Sequence, residues 1–312
     1  MASMASQASH VKETPVELIK LKHVLFATDF SEASLAALPH VAALARHYGS
    51  KVYLGHVIEP EAYPSMLRIG PASGTFREAD QDIEKQLVYL SHSKLLEGVP
   101  HEILVLHGEL SHALTKFIRE QSIDLAVLGT HGRSGFKRFL LGSAAEKIFR
   151  HAPCPVLTVG PRTYKVRVAE AGFRHILYPT DLSEQGGIAG RYAISLAAEY
   201  SAHLTVLHIS PDPIVTDALL TRELERKMQR LVPAEAEPWC NADYLVDHGD
   251  PAETILKVAR EELADLIVLD VRKPGGLAMF LETTAYQVVA EAACPVLTVR
   301  DHPATPDLTD WS

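Results

Sequence analysis

The chain writes its fold twice. His23-Val-Leu-Phe-Ala-Thr-Asp29-Phe-Ser-Glu32 returns as His175-Ile-Leu-Tyr-Pro-Thr-Asp181-Leu-Ser-Glu184, and His107-Gly108-Glu109 returns as His248-Gly249-Asp250. Asp124-Leu-Ala-Val-Leu128 returns as Asp265-Leu-Ile-Val-Leu269, and Cys154-Pro-Val-Leu-Thr-Val159 as Cys294-Pro-Val-Leu-Thr-Val299. The copies are 152 residues apart where the repeat starts and 140 apart where it ends, so the second is shorter, mainly between its second and third strands. Whatever the first copy folds into, the second must fold into as well. At 312 residues each copy is long enough to bury its own core.

Within the first copy, short apolar runs alternate with helical patterns. His23 to Thr28 reads as a strand ending at Asp29, and Ser31 caps a helix with Leu35, Leu38, Val41, Ala42 and Ala45 at helical spacing. Gly49 closes that helix, and Lys51 to Ile58 is the second strand. A segment holding Pro60, Pro64, Gly70, Pro71 and Gly74 reads as a loop. Then follow a helix over Glu78 to Glu97, a strand over Glu102 to Leu106, a helix over Leu110 to Gln121 and a strand over Leu125 to Leu128. A helix over Ala144 to Arg150 and a strand over Pro155 to Val159 complete the copy. Five apolar strands alternating with helices predict an α/β unit with a parallel sheet.

Composition narrows the function classes. The formal net charge of −9 disfavours general binding to a nucleic acid backbone. No apolar run is long enough to cross a membrane. Residues 1–20 read as a flexible leader without an apolar secretory region. Cys154, Cys240 and Cys294 are too few and too scattered for a disulfide framework or a zinc site. The expected setting is a reducing cytoplasm.

Between the fourth strand and the last helix lies Gly129-Thr-His-Gly132-Arg-Ser-Gly135-Phe-Lys-Arg-Phe-Leu-Leu-Gly142-Ser143. A glycine-rich loop lets backbone N–H groups approach phosphate oxygens, and the helix after it offers the positive end of its dipole. Arg133, Lys137 and Arg138 add positive charge suited to a triphosphate. The plainer alternative is a turn that only connects strand to helix.

These residues resemble the universal stress protein family, and the duplication resembles its tandem-domain members. The resemblance covers 21–160 and 174–300, outside the leader, a linker over 161–173 and a tail over 301–312. Gly129, Gly132, Gly142 and Ser143 fit the family's nucleotide motif G-x2-G-x9-G-[ST]. The resemblance implies two tandem five-stranded parallel sheets of strand order 3-2-1-4-5, with helices on both faces, of the adenine nucleotide alpha hydrolase-like kind. In that order the ends of strands one and four flank the point where the winding reverses, where open α/β sheets bind ligands. It further implies that Asp29 and the backbone around Ala27 and Val57 hold adenine and ribose. Gly129, Gly132, Gly142 and Ser143 would surround the phosphates of ATP. Mg²⁺ would accompany ATP through phosphate and water, because the sequence offers no dedicated carboxylate cage.

The second copy departs from the motif at its centre. Asp270 stands in the place of Gly129 and Lys273 in that of Gly132, while Gly142 matches Glu282 or Thr283. Asp181 and Ile209 survive, enough for an adenosine-like half-site. One good ATP site per chain is therefore expected. Three functions stay open: an ATP-binding stress-response regulator, a slow ATPase or autophosphorylating enzyme in the same pocket, and a ligand-free scaffold. For hydrolysis His131 and Asp29 are the only candidates, neither at a supporting spacing, and there is no Walker A sequence. No catalytic residue and no metal ligand is assigned. His56 and His208 read as core histidines, and His107/Glu109 and His248/Asp250 supply only half a metal site each. The last strands, Val156 to Val159 and Val296 to Val299, would otherwise be bare apolar edges. Family members dimerise through this strand, so the resemblance implies an intrachain pseudo-dimer, with a homodimer of whole chains left open.

Overall fold

A computed structural model describes residues 18–59, 74–130, 142–160, 163, 172–183, 187–210, 218–234, 236–271 and 278–300, with backbone only at 74–79, 143, 144, 218, 237, 238 and 278–283. The first copy runs β1 (His23–Ala27), α1 (Glu32–Leu35), α2 (Leu38–Tyr48), β2 (Lys51–Ile58), α3 (Gly74–Ser91), β3 (His101–His107), α4 (Leu110–Glu120), β4 (Leu125–Gly129), α5 (Ser143–His151) and β5 (Val156–Val159). The second runs β6 (His175–Thr180), α6 (Gly187–Tyr200), β7 (His203–Ser210), α7 (Ala218–Gln229), α8 (Glu237–Cys240), β8 (Ala242–His248), α9 (Pro251–Glu261), β9 (Leu266–Asp270), α10 (Ala278–Glu291) and β10 (Val296–Val299).

Side chains alternate across each strand, which is why the strands read as unbroken apolar runs. Val24 and Phe26 enter one apolar layer while Leu25 enters the other, and all three are buried. Each copy has the strand order 3-2-1-4-5, every neighbour within a copy being parallel. The two sheets are not separate, however. β10 pairs antiparallel with β5, Leu297 opposite Leu157, so that ten strands form one sheet in the order β3-β2-β1-β4-β5-β10-β9-β6-β7-β8. Thr158 Oγ1 donates to the Val296 carbonyl at 3.1 Å and Thr298 Oγ1 to the Val156 carbonyl at 3.2 Å, a reciprocal pair.

The helix expected from Ser31 onward is broken in two. Ser31 caps α1 as predicted, accepting from the Ser34 N–H at 3.1 Å. Pro39 has no N–H to continue that helix and its ring crowds the carbonyl four residues back, so the chain restarts as α2 with Pro39 in its first turn. Gly49 ends α2 at φ 65°, as its position suggested. The proline- and glycine-bearing segment over 60–73 lies outside the described residues.

Candidate functional site

The start of β1 is set by a carboxylate from the strand beside it. Asp124 Oδ2 accepts from the backbone N–H of Lys22 at 2.7 Å and of His23 at 2.9 Å, and Asp265 repeats this on Arg174 and His175. With β1 and β4 in register, Ala27 lies beside Leu128 and the ends of both strands open on the same side. This is where the winding of the sheet reverses.

Beyond Ala27 a tight turn is built from side-chain hydrogen bonds. Asp29 Oδ1 accepts from the Ser31 N–H at 3.0 Å and from Ser31 Oγ at 2.6 Å. Thr28 Oγ1 accepts from the Phe30 N–H at 2.9 Å and shares a bond of 2.8 Å with Ser34 Oγ. Phe30 sits at φ 61°, a left-handed backbone that these bonds hold in place. His56 donates from Nδ1 to the Thr28 carbonyl at 2.7 Å, and its ring lies 5.0 Å from that of Phe30. The second copy repeats the device with Thr180, Asp181, Leu182 at φ 58° and His208. His56 and His208 thus position the turn, a role that Thr-Asp-x-Ser followed by a β2 histidine in both copies could have signalled.

Val57, half-buried, lies on β2 opposite Leu106 and packs on the same apolar layer as Ala27. Gly129 ends β4, and a Cβ there would lie 2.5 Å from the Ala33 carbonyl oxygen and 2.6 Å from the Ser34 Cα. This glycine is demanded by the close passage of α1, whatever else lies above it. The Thr130 N–H donates to Val159 at 3.0 Å, and the Gly142 N–H donates back to the Thr130 carbonyl at 2.7 Å. The loop between them therefore leaves and re-enters at one point, which places the start of α5 beside the end of β4. Gly142 is the N-cap and lends no side chain to the first-turn N–H groups. Gly132, Arg133, Lys137 and Arg138 lie outside the described residues, and of Ser143 only the backbone is described.

In the second copy the helix starts earlier. Ser143 aligns with Thr283 by the 140-residue offset, but α10 begins at Ala278, about five residues before it. The N–H groups that α5 presents at its first turn are, at the same place in α10, inside a helix. What remains in the second crevice is a cavity of about 130 Å³ lined by Pro179, Asp181, Ile209, Leu269, Asp270 and Thr284.

The half-sites with metal-like spacing turn out to hold helices. Glu109 Oε2 accepts from the His112 N–H at 2.8 Å as the cap of α4, and Asp250 does the same for α9 from Glu253 at 2.9 Å. Lys147 Nζ lies 3.3 Å from Glu109 and 3.4 Å from Glu59. Burial works to raise the Glu109 carboxyl, but the His112 and Ser111 N–H groups and Lys147 outweigh it and hold it down at about 2. His107 pairs with Asp80 at 2.8 Å. Among the described residues no group of three or more His, Cys, Asp or Glu is placed to hold a metal ion, and no helix is long and apolar enough to cross a membrane. Cys154 and Cys294 are buried, and burial pushes both thiols up to about 12, so at neutral pH they are inert thiols.

The sequence profile of the universal stress protein family matches this chain twice, over residues 20–160 and 172–300. The chain belongs to the universal stress protein family. Among its relatives, a universal stress protein of Methanocaldococcus jannaschii is 30% identical over 152 residues, 44% of this chain and 81% of the relative. One from Thermus aquaticus is 36% identical over 136 residues, 41% of this chain and 99% of the relative. The crystal structure of a universal stress protein from Archaeoglobus fulgidus has the same fold with a TM-score of 0.71 at 20% identity, covering 90% of this chain and 99% of that one. The two profile matches make this a tandem universal stress protein.

Proposed function

We propose that this tandem universal stress protein is a regulatory stress-response module of the cytoplasm that binds ATP, with Mg²⁺, in its first crevice. Ala27, Asp29 and Val57 take the nucleoside, and Gly129, Gly132, Gly142 and Ser143 take the phosphates. One observation carries the reading: the hydrogen bond from Gly142 to Thr130 sets the N-terminus of α5, whose N-cap residue is a glycine, beside the end of β4, at the reversal point of the sheet. The residues present suit the ligand, since the nine-residue helix α5 directs the positive end of its dipole toward the end of β4, and the sequence from Gly129 to Ser143 carries the motif's glycines and hydroxyl. In the second copy the early start of α10 removes those donors and Asp270 adds negative charge. Domains at 21–160 and 174–300, joined through 161–173, belong to the same reading and agree with the two profile matches. The 130 Å³ cavity beside Asp181 and Ile209 supports a second, weaker site for an adenosine-like group without phosphates.

Gly142→Asp separates binding from folding. An aspartate is a better N-cap than glycine, so the variant should unfold no earlier than the parent, while its carboxylate stands where phosphate is to bind. Calorimetric titration of the full chain should give close to one ATP per chain, and the variant should lose at least about tenfold in affinity, or about 1.4 kcal/mol. Two ATP per chain, or unchanged affinity in Gly142→Asp, overturns the assignment. Phosphate release that disappears in the variant would move the reading to a slow ATPase.

A further inference from the structure

The junction of the two copies is symmetric in its frame and asymmetric in its contacts. Leu157 and Leu297 are equivalent residues and lie opposite each other, and the Thr158 and Thr298 bonds mirror one another. A pseudo-twofold axis therefore passes through this strand pair. Over the same junction His47, at the end of α2, meets Glu199, at the end of α6, with His47 Nε2 3.5 Å from Glu199 Oε2. Residues 47 and 199 are 152 apart, the offset of the repeat, so they too are equivalent. In a true twofold pair a residue on the axis meets itself. Here it meets a group of complementary chemistry.

Two further residue pairs meet across the junction, and among the described residues neither has a counterpart under the axis. Across the junction Ser195 Oγ accepts from the Ile19 N–H, just ahead of the first copy, at 2.7 Å, and within the second copy it donates to Glu199 Oε1 at 2.8 Å. The residue equivalent to Ser195 is Ala43, which has no hydroxyl. Arg300 donates to the Phe149 carbonyl at the end of α5, at 2.8 Å and 3.2 Å, and its guanidinium lies 5.3 Å from the Phe149 ring. Its equivalent is Gly160, where a Cβ would already lie 3.4 Å from the Ala292 carbonyl oxygen. The aromatic neighbours keep the symmetry: His47 stacks on Tyr200 at 4.2 Å, and burial followed by the Glu199 carboxylate pushes the equivalent Tyr48 hydroxyl upward. The Glu199 side chain is 13% exposed, so a second carboxylate in the place of His47 would face it with little water between.

We propose that the junction is a non-self interface, in which each half of the chain accepts the other half and rejects its own kind. Pairing two first halves sets His47 against His47 and leaves Phe149 without Arg300. Pairing two second halves sets Glu199 against Glu199. The inherited strand pair supplies attraction common to all three pairings, and the diverged residues select among them by complementarity in one and like charge in the others.

The test uses four full-length chains that hold every combination at the axis: the parent (His/Glu), Glu199→His (His/His), His47→Glu (Glu/Glu) and the exchange His47→Glu with Glu199→His (Glu/His). Thermal unfolding is followed at pH 6 and low ionic strength. Both single variants should melt about 2–4 °C below the parent, and the exchange should recover most of that loss although it carries both substitutions. Salt at 0.5 M should shrink the gaps. An exchange variant no better than the worse single variant overturns the proposal, as does a single variant that melts with the parent. The milder cycle of His47→Gln, Glu199→Gln and their combination guards against misfolding of the charged variants: non-additive losses support the pairing, and strictly additive losses overturn it.

Discussion

His40 lies on α2 with 4% of its surface exposed, and its Nδ1 finds no hydrogen-bond partner among the described residues. Burial lowers its pKa from 6.5 to about 4. The unfolded chain therefore takes up this proton first, so the contribution of His40 to stability is complete above about pH 6.5 and is lost as the pH falls toward 4. The full loss is about 3 kcal/mol. His40→Leu should flatten the urea midpoint between pH 6.5 and 4.5, and a variant that keeps the parent's slope would refute this. Gly129 teaches a different lesson at the same scale. The motif spacing marks it correctly as a position that must be glycine, but spacing cannot tell phosphate from backbone as the neighbour. The Ala33 carbonyl that would clash with its Cβ belongs to a helix nearly 100 residues earlier. His56 is similar: a histidine at the end of an apolar strand looks like packing until the Thr28 carbonyl is found 2.7 Å from it.

At the scale of elements, the carboxylates Asp124 and Asp265 do for strands what caps do for helices. Each closes two backbone N–H groups at the start of the first strand of its copy, and each precedes a repeated apolar run in the sequence. Asp124→Ala leaves the Lys22 and His23 amides without their acceptor and should cost about 1–3 kcal/mol, with faster hydrogen exchange at His23. A drop in melting temperature no larger than that of an exposed surface substitution would contradict it. Helix lengths were less legible than helix positions. Pro39 splits α1 from α2 because an isolated periodicity count ignores the missing N–H. The early start of α10 was hidden because Ala278-Met-Phe-Leu continues the apolar character of the helix with no capping residue to mark its end.

At the scale of the molecule the two copies share both apolar layers. Leu157 and Val159 join Leu297 and Val299 on one face of the sheet, and Val156 joins Val296 on the other. A core continuous across the junction couples the halves, so calorimetry should show one unfolding transition for the whole chain. Two resolved transitions would show that the halves unfold independently. The outer strands of the ten-stranded sheet carry charge instead: Lys51 bridges to Glu102 on β3 at 2.7 Å, and Asp243 and Asp247 lie on β8. Charged outer strands discourage the edge pairing that the apolar β5 and β10 invite.

The sequence by itself determined the doubled α/β unit, its strand runs, the strand-to-loop-to-helix order around Gly129 and the loss of the motif in the second copy. These are local or periodic properties, and a repeat prints them twice. Tertiary structure alone decided the antiparallel register in which β5 meets β10, that Gly129 answers to α1, that the α5 N-terminus opens beside β4, and that His47 meets Glu199. Each of these joins groups far apart in the chain. Such contacts depend on strand register and on which edges meet, and neither is encoded by the order of residues along one strand.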